Sequence, residues 1–221
     1  MLKLALLYWL AAAAPVFAAP AAEEFSSLDA RACTTPANSL KNPGFESNGL
    51  SSWTFTPTYA KLGSAAVVKS GYKSDHAVQL WATSGSQDPT SYNKLQQTFK
   101  ICKASRFQLS WSMLLVKDGT RYTAPRTPGL YVEVKAPDGL WYQIATASFG
   151  SKSYTSTVYS PNKKGTHAVN EWTNFVADFP NSQTGTWTVS MEWYAMGSDA
   201  GQKPSTLKFK LDNFAVKPKP T

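Results

Sequence analysis

GLYVEVKAPDGLWYQIATA, residues 129 to 147, reads as two strands joined by a turn. Leu130, Val132 and Val134 alternate with Tyr131, Glu133 and Lys135, the two-residue period of a half-buried strand. Ala136-Pro137-Asp138-Gly139-Leu140 breaks that run, and Asp-Gly suits a tight turn between antiparallel partners. Further runs bounded by Gly, Pro, Asn or Asp lie near 40–47, 53–58, 64–69, 76–82, 94–101, 106–117, 171–179, 185–196 and 206–216. No stretch beyond the N-terminal segment sustains a 3.6-residue period. About eleven strands without helices predict an all-β chain, an antiparallel β-sandwich of jelly-roll type. No internal repeat or linker follows residue 33, so 33–217 reads as one domain. Two segments, 117–128 and 148–170, depart from the regular spacing as long loops, of the kind that are either functional or tolerated surface insertions.

Composition narrows the function. The 221 residues carry 22 Lys+Arg against 14 Asp+Glu, a formal net charge of +8, with 16% charged and 13% aromatic residues, eight of them Trp. Disordered chains have the opposite balance. Two Cys are too few for a disulfide-dense scaffold or a four-cysteine zinc module, and two His leave little for catalytic or metal chemistry.

The N-terminal MLKLALLYWLAAAAPVFAAP has one early Lys and an apolar run from Leu4 to Phe17, too short for a comfortable membrane span and closing on small residues. It reads as a signal peptide, 1–18, cleaved after Ala18, followed by a disordered lead-in, 19–32. Loss of Lys3 brings the net charge to about +7. Export places Cys33 and Cys102 in an oxidising compartment, where their pairing would contribute roughly 4 kcal/mol on the loop-entropy account. No N-glycosylation sequon occurs, and 218–221 forms a Pro/Lys tail. The expected location is secreted, extracellular or wall-associated, as a monomer without a membrane span.

Several segments together resemble, in order and spacing, carbohydrate-binding modules of the family four, nine and twenty-two type. They are Asn42-Pro43-Gly44-Phe45-Glu46 with Trp53 after it, the stretch 71–80, Leu95-Gln96-Gln97-Thr98-Phe99, Arg106-Phe107-Gln108-Leu109-Ser110, Glu171-Trp172-Thr173, and Leu211-Asp212-Asn213-Phe214-Ala215-Val216. The likeness spans about 38–217 and is greatest to single-module secreted fungal proteins. Phe107 stands where Tyr is commoner, and Asn213 replaces a frequent second Asp. The resemblance implies a galactose-binding-domain-like jelly roll that binds glycan chains on a sheet face. It also implies a structural calcium, with Glu46 and Asp212 on the acidic positions of the pattern and Asp75 as a third candidate, oxygen ligands being what calcium takes.

Strand alternation sorts the side chains. Val78, Leu80, Phe107, Leu109, Trp111, Met113, Leu115, Trp187, Val189, Met191 and Trp193 point inward, as do Trp53 and Trp172. The outward set is Gln79, Trp81, Ser112, Tyr131, Glu133, Glu192 and Tyr194, the rings, amides, hydroxyls and carboxylates that a sugar needs. A one-residue slip would exchange the faces of Trp81 and Trp141.

No Gly-x-Ser-x-Gly, His-Glu-x-x-His or phosphate-cradling loop occurs. Glu133 and Glu192 could form a carboxylate pair, but solvated or sugar-bonding carboxylates explain them as simply. Lys73, Lys152, Lys163 and Lys164, with Tyr154 and Tyr159, could form a basic-aromatic patch; export argues against nucleic acid as its partner and leaves an anionic wall polymer compatible. The expected function is non-catalytic binding of a polysaccharide, a cell-wall β-glycan. The alternatives are an extracellular interaction or structural protein without sugar binding, and a small glycoside hydrolase or lyase.

Overall fold

The computed structural model describes residues 38–47, 49–84, 91–102, 106–117, 127–150, 152–196 and 205–219. They lie in one unit, Thr34–Thr221. The expected signal peptide and lead-in, Cys33 and residues 118–126 fall outside the described residues, whereas Cys102 is half-buried just after a strand.

Among the described residues twelve strands are formed: β1 Thr54–Pro57, β2 Gly63–Lys69, β3 His76–Ser84, β4 Ser91–Ile101, β5 Phe107–Leu115, β6 Gly129–Lys135, β7 Trp141–Phe149, β8 Ser153–Tyr159, β9 Asn162–Ala168, β10 Thr173–Asp178, β11 Gly185–Ala195 and β12 Ser205–Pro218. They pair antiparallel in two sheets, β1-β4-β11-β6-β7-β8-β9 and β10-β5-β12-β3-β2. This is the expected jelly-roll sandwich.

The quoted hairpin forms as expected. Gly139 sits at φ 89°, and the Ala136 N–H donates to the Leu140 carbonyl at 2.9 Å. Alternation buries Leu130, Val132 and Val134 against Trp187, Val189, Met191 and Trp193. Aromatic rings bridge the two sheets: Phe209 of β12 lies 5.5 Å from Phe149 and 6.1 Å from Trp193, and the Trp193 indole N–H donates to the Trp81 carbonyl at 3.0 Å. Burial of one such ring contributes about 2–3 kcal/mol, which makes this layer the main source of cohesion.

Three expectations are corrected. Residues 40–47 form turns rather than a strand. Asn42 and Phe45 take left-handed backbone angles (φ 46° and 58°), which drop the fully buried Phe45 ring 5.5 Å from Trp53 and 6.0 Å from Phe214. Within 148–170 lies the β8–β9 hairpin, turning at Ser160-Pro161. Its Ser, Thr and Lys residues hide an alternation in which only Tyr154, Ser156 and Val158 are buried. Trp172 is half-buried, its ring 5.8 Å from Tyr72, and it takes no part in the core.

Candidate functional site

The outward set divides between two opposite faces, because β6 and β11 belong to the seven-stranded sheet and β3 and β5 to the other. Tyr131, Glu133, Glu192 and Tyr194 come together on the first. Gln79, Trp81 and Ser112 do not join them, and Ser112 is covered, its hydroxyl donating to Asn174 Oδ1 at 2.7 Å.

Register builds the first face in rows. Tyr92, Tyr194 and Tyr131 form an aromatic line across β4, β11 and β6, with ring separations of 5.5 and 5.4 Å. Tyr194 lies over Gly129, where an added Cβ would meet its ring carbons within 2.8 Å, so any larger residue there would push the ring aside. In the next row Lys94 Nζ meets Glu192 Oε2 at 3.1 Å beside Tyr131. Glu133 pairs with Ser190 on one side and Gln143 on the other, and Gln143 donates to Tyr159 Oη at 3.0 Å.

Trp141 completes the face. Across β6 and β7, Val132 faces Ala145 but Glu133 faces Gln143, so Ile144 is an extra residue. This bulge flips the strand end: Ile144 and Ala145 are both buried, while Gln143 and Trp141 point outward. Trp141 is 43% exposed, and Lys94 Nζ and Lys135 Nζ approach its ring centroid at 5.4 and 5.8 Å. Sequence alternation left this residue undecided, missed Tyr92, Lys94 and Gln143, and grouped Tyr159 with the lysines of a basic-aromatic patch instead. Tyr92 was within reach of the pattern, since β4 continues its alternation back to Ser91.

Burial pushes the Glu133 carboxyl up from its ordinary value, the Glu192 charge adds to this, and Lys94 opposes it. Burial likewise raises the Tyr194 hydroxyl, which stays protonated and able to donate. Ser190 Oγ is buried with no partner. The face therefore offers stacking planes, an amide, hydroxyls and carboxylates on rigid strands. Glu133 and Glu192 stand diagonally on adjacent strands of one face, not on opposite sides of a cleft, the arrangement that glycoside hydrolysis requires.

At the start of the last strand's irregularity lies the candidate metal position. Between Asp212 and Ala215 β12 shifts register, with Asn213 at φ 54°. Asp212 is fully buried; Oδ2 accepts from the Tyr72 N–H and Ser74 Oγ, both at 2.6 Å, and Oδ1 from the Asn213 N–H at 2.6 Å. Burial raises the Asp212 carboxyl against those bonds, and the Glu46 charge raises it further. Glu46 Oε1 and Asp212 Oδ1 stand 3.7 and 3.6 Å from where a Gly44 Cβ would be. A Cβ on Gly71 would fall among the His76 carbonyl, Ser74 Oγ and, at 2.6 Å, Asp212 Oδ2. Carboxylate, hydroxyl and carbonyl oxygens of this kind are what a hard cation takes, while Glu46 is at the same time held by His76, whose Nδ1 lies 3.0 Å from Oε2 and whose N–H donates to Oε1 at 3.2 Å. Among the described residues no group of three His, Cys, Asp or Glu converges, so carbonyl and hydroxyl oxygens would have to supply the remainder. Asp75 is exposed, and its backbone carbonyl accepts from the Ser70 N–H at 2.9 Å.

No protein-family profile and no characterised protein sequence matches the chain. Among solved structures, TmCBM61 in complex with beta-1,4-galactotriose superposes with a TM-score of 0.52 at 16% identity, covering 82% of this chain and 99% of that one. The enzymatically active domain of bacteriophage CBA120 tailspike protein 4 gives 0.49 at 13% identity, covering 83% of this chain and 22% of that one. The CBM22-1–CBM22-2 tandem domain of Paenibacillus barcinonensis Xyn10C gives 0.46 at 14% identity, covering 80% of this chain and 44% of that one. The chain is thus similar in fold to a carbohydrate-binding module of the galactose-binding-like type, and the likeness is one of fold.

Proposed function

We propose that this chain is a secreted, non-catalytic module that binds a polysaccharide, a cell-wall β-glycan, along the outer face of the seven-stranded sheet. The observation that carries the reading is the aromatic surface of Trp141, Tyr131, Tyr194 and Tyr92 with Glu133, Glu192 and Gln143 among the rings. Sugar C–H faces stack on aromatic planes, and sugar hydroxyls need donors and acceptors beside them. The strands hold these groups in place, which keeps the ordering cost of binding low. TmCBM61, solved with a β-linked galactotriose, lends support by analogy of fold only. The apolar run and small-residue close of 1–18 support export, and export in turn supports a Cys33–Cys102 disulfide. Calcium held by Glu46 and Asp212 would neutralise two carboxylates whose charges oppose each other.

Affinity electrophoresis against soluble and insoluble glycans tests the reading. Retardation on a β-linked polysaccharide, lost in a Trp141→Ala/Tyr131→Ala variant, is expected. No retardation on any glycan overturns it, and release of reducing ends from the same panel would replace it with a hydrolase using Glu133 and Glu192.

A further inference from the structure

The two sheets do not end together. β10, the last strand of the smaller sheet, packs over β7 and β8, so the larger sheet projects beyond it by one strand, β9. A cleft of about 250 Å³ lies in that step, between the free edge of β10 and the inner face of the β8–β9 hairpin. Register sets its floor, because directly opposite residues of an antiparallel pair share a face. Ser156 and Val158 are buried, and their partners Gly165 and Lys163 lie on the same side, as His167 does with the buried Tyr154. Ser156 Oγ stands 2.7 Å from His167 Nε2, while Lys163 makes no ion pair or hydrogen bond among the described residues. Burial lowers the pKa of the His167 imidazole from its ordinary value, so at neutral pH Lys163 is the cation on this side of the hairpin.

The wall opposite is an unfinished ladder. The Phe179 N–H donates to the Phe107 carbonyl at 2.9 Å, which fixes the parity of the β5–β10 pairing. Thr173, Phe175 and Ala177 turn their N–H and C=O groups toward β5, and Asn174, Val176 and Asp178 turn theirs to the free edge. The Ser160 carbonyl takes the Asp178 N–H at 2.6 Å. The N–H and C=O groups of Asn174 and Val176 have no protein partner among the described residues, and both residues line the cleft. From Thr173 to Ala177 this edge carries no Pro, no charge and no bulge to blunt it, and Val176 is 43% exposed.

We propose that this step is a strand-addition site, where an extended acidic peptide of another protein pairs antiparallel with β10 and covers the inner face of the β8–β9 hairpin. Two donors and two acceptors repeating at about 7 Å along β10 match a peptide backbone, whereas sugar hydroxyls keep no such fixed alternation. Peptide residues bonded to Asn174 and Val176 send their side chains outward, beside Val176. The alternate residues point down onto Lys163, Val158 and Gly165, and the Lys163 ammonium sets the charge of the side chain that meets it. Pairing with β10 of a second copy is ruled out, because the two projecting β9 strands would then occupy the same space. The site is independent of the glycan reading of the outer face.

The test is an amide-resolved NMR titration of the labelled protein with acetyl-Thr-Val-Glu-Val-Glu-Val-Thr-amide. Shifts centred on the Asn174 and Val176 amides are expected, with both amides protected from hydrogen exchange. The same peptide with Lys at both Glu positions should bind about ten-fold more weakly, and one N-methylated at its three valines should not bind. Val176→Pro removes a donor from the free edge and none from the β5 ladder, and should weaken binding by about ten-fold or more. Lys163→Glu, at an exposed position, should reverse the preference between the acidic and the basic peptide. Absence of shifts at both amides, equal binding of the basic or the N-methylated peptide, an unchanged preference in Lys163→Glu, or shifts at these amides with cellohexaose instead would each overturn the assignment.

Discussion

Ile144 is one residue more than the β6–β7 ladder needs, and that excess decides where Trp141 points. Truncating the half-exposed indole removes a stacking plane without opening the core. Trp141→Ala should lower affinity for a bound glycan by about 1–2 kcal/mol, roughly five- to thirty-fold, with an unchanged melting temperature. Calorimetric titration beside a thermal melt checks both halves. Glu133 carries a second, pH-dependent expectation. Its carboxyl is held above the ordinary glutamate value of 4.5, so the folded state keeps the proton longer than the unfolded chain does. The associated stability is present below that value and is lost as pH rises through the raised one. Glu133→Gln should therefore be more stable than wild type near neutral pH, with the gap closing below about pH 4. Urea unfolding at acid and neutral pH reads this directly, and a gap that widens on acidification would refute it.

At the scale of elements, the β8–β9 hairpin is the outermost pair of the larger sheet and leans on few apolar side chains. Tyr154 anchors it, with its ring 5.7 Å from Phe149 and 4.8 Å from His167, and burial pushes its hydroxyl up to about 12. A cleft of about 250 Å³ opens between the hairpin and β10, lined by Ser156, Val158, Lys163, His167, Asn174 and Phe175 among others. Tyr154→Ala should cost about 3 kcal/mol, borne chiefly by this hairpin. Hydrogen exchange should then rise across 153–168 while β4, β6 and β11 keep their protection. Uniform loss of protection would mean that the hairpin is integral to the core.

For the whole molecule, the segment 42–46, the β2–β3 loop and the register shift of β12 meet at one place, around Asp212. If calcium sits there, it ties distant parts of the chain together. At one hundred times its dissociation constant it would add about 2.7 kcal/mol of stability. Thermal melts with calcium and with a chelator should differ by several degrees in wild type and not in Asp212→Asn; equal melts in wild type would remove calcium from the account.

Alternation of apolar and polar residues was enough to read the sandwich, ten of the strands and most of the core, because a strand's two faces are written at a period of two. Tyr131, Glu133, Glu192 and Tyr194 were legible as outward for the same reason. Local pattern carries no information about which sheet a strand joins, so Gln79, Trp81 and Ser112 were read with residues that the fold places on the far side. It is equally blind to a bulge, which is why Trp141 stayed undecided, and to strands with few apolar residues on either face, which is why β8 and β9 read as a loop. Those outcomes depend on pairing partners distant in sequence, and only the packed sandwich supplies them.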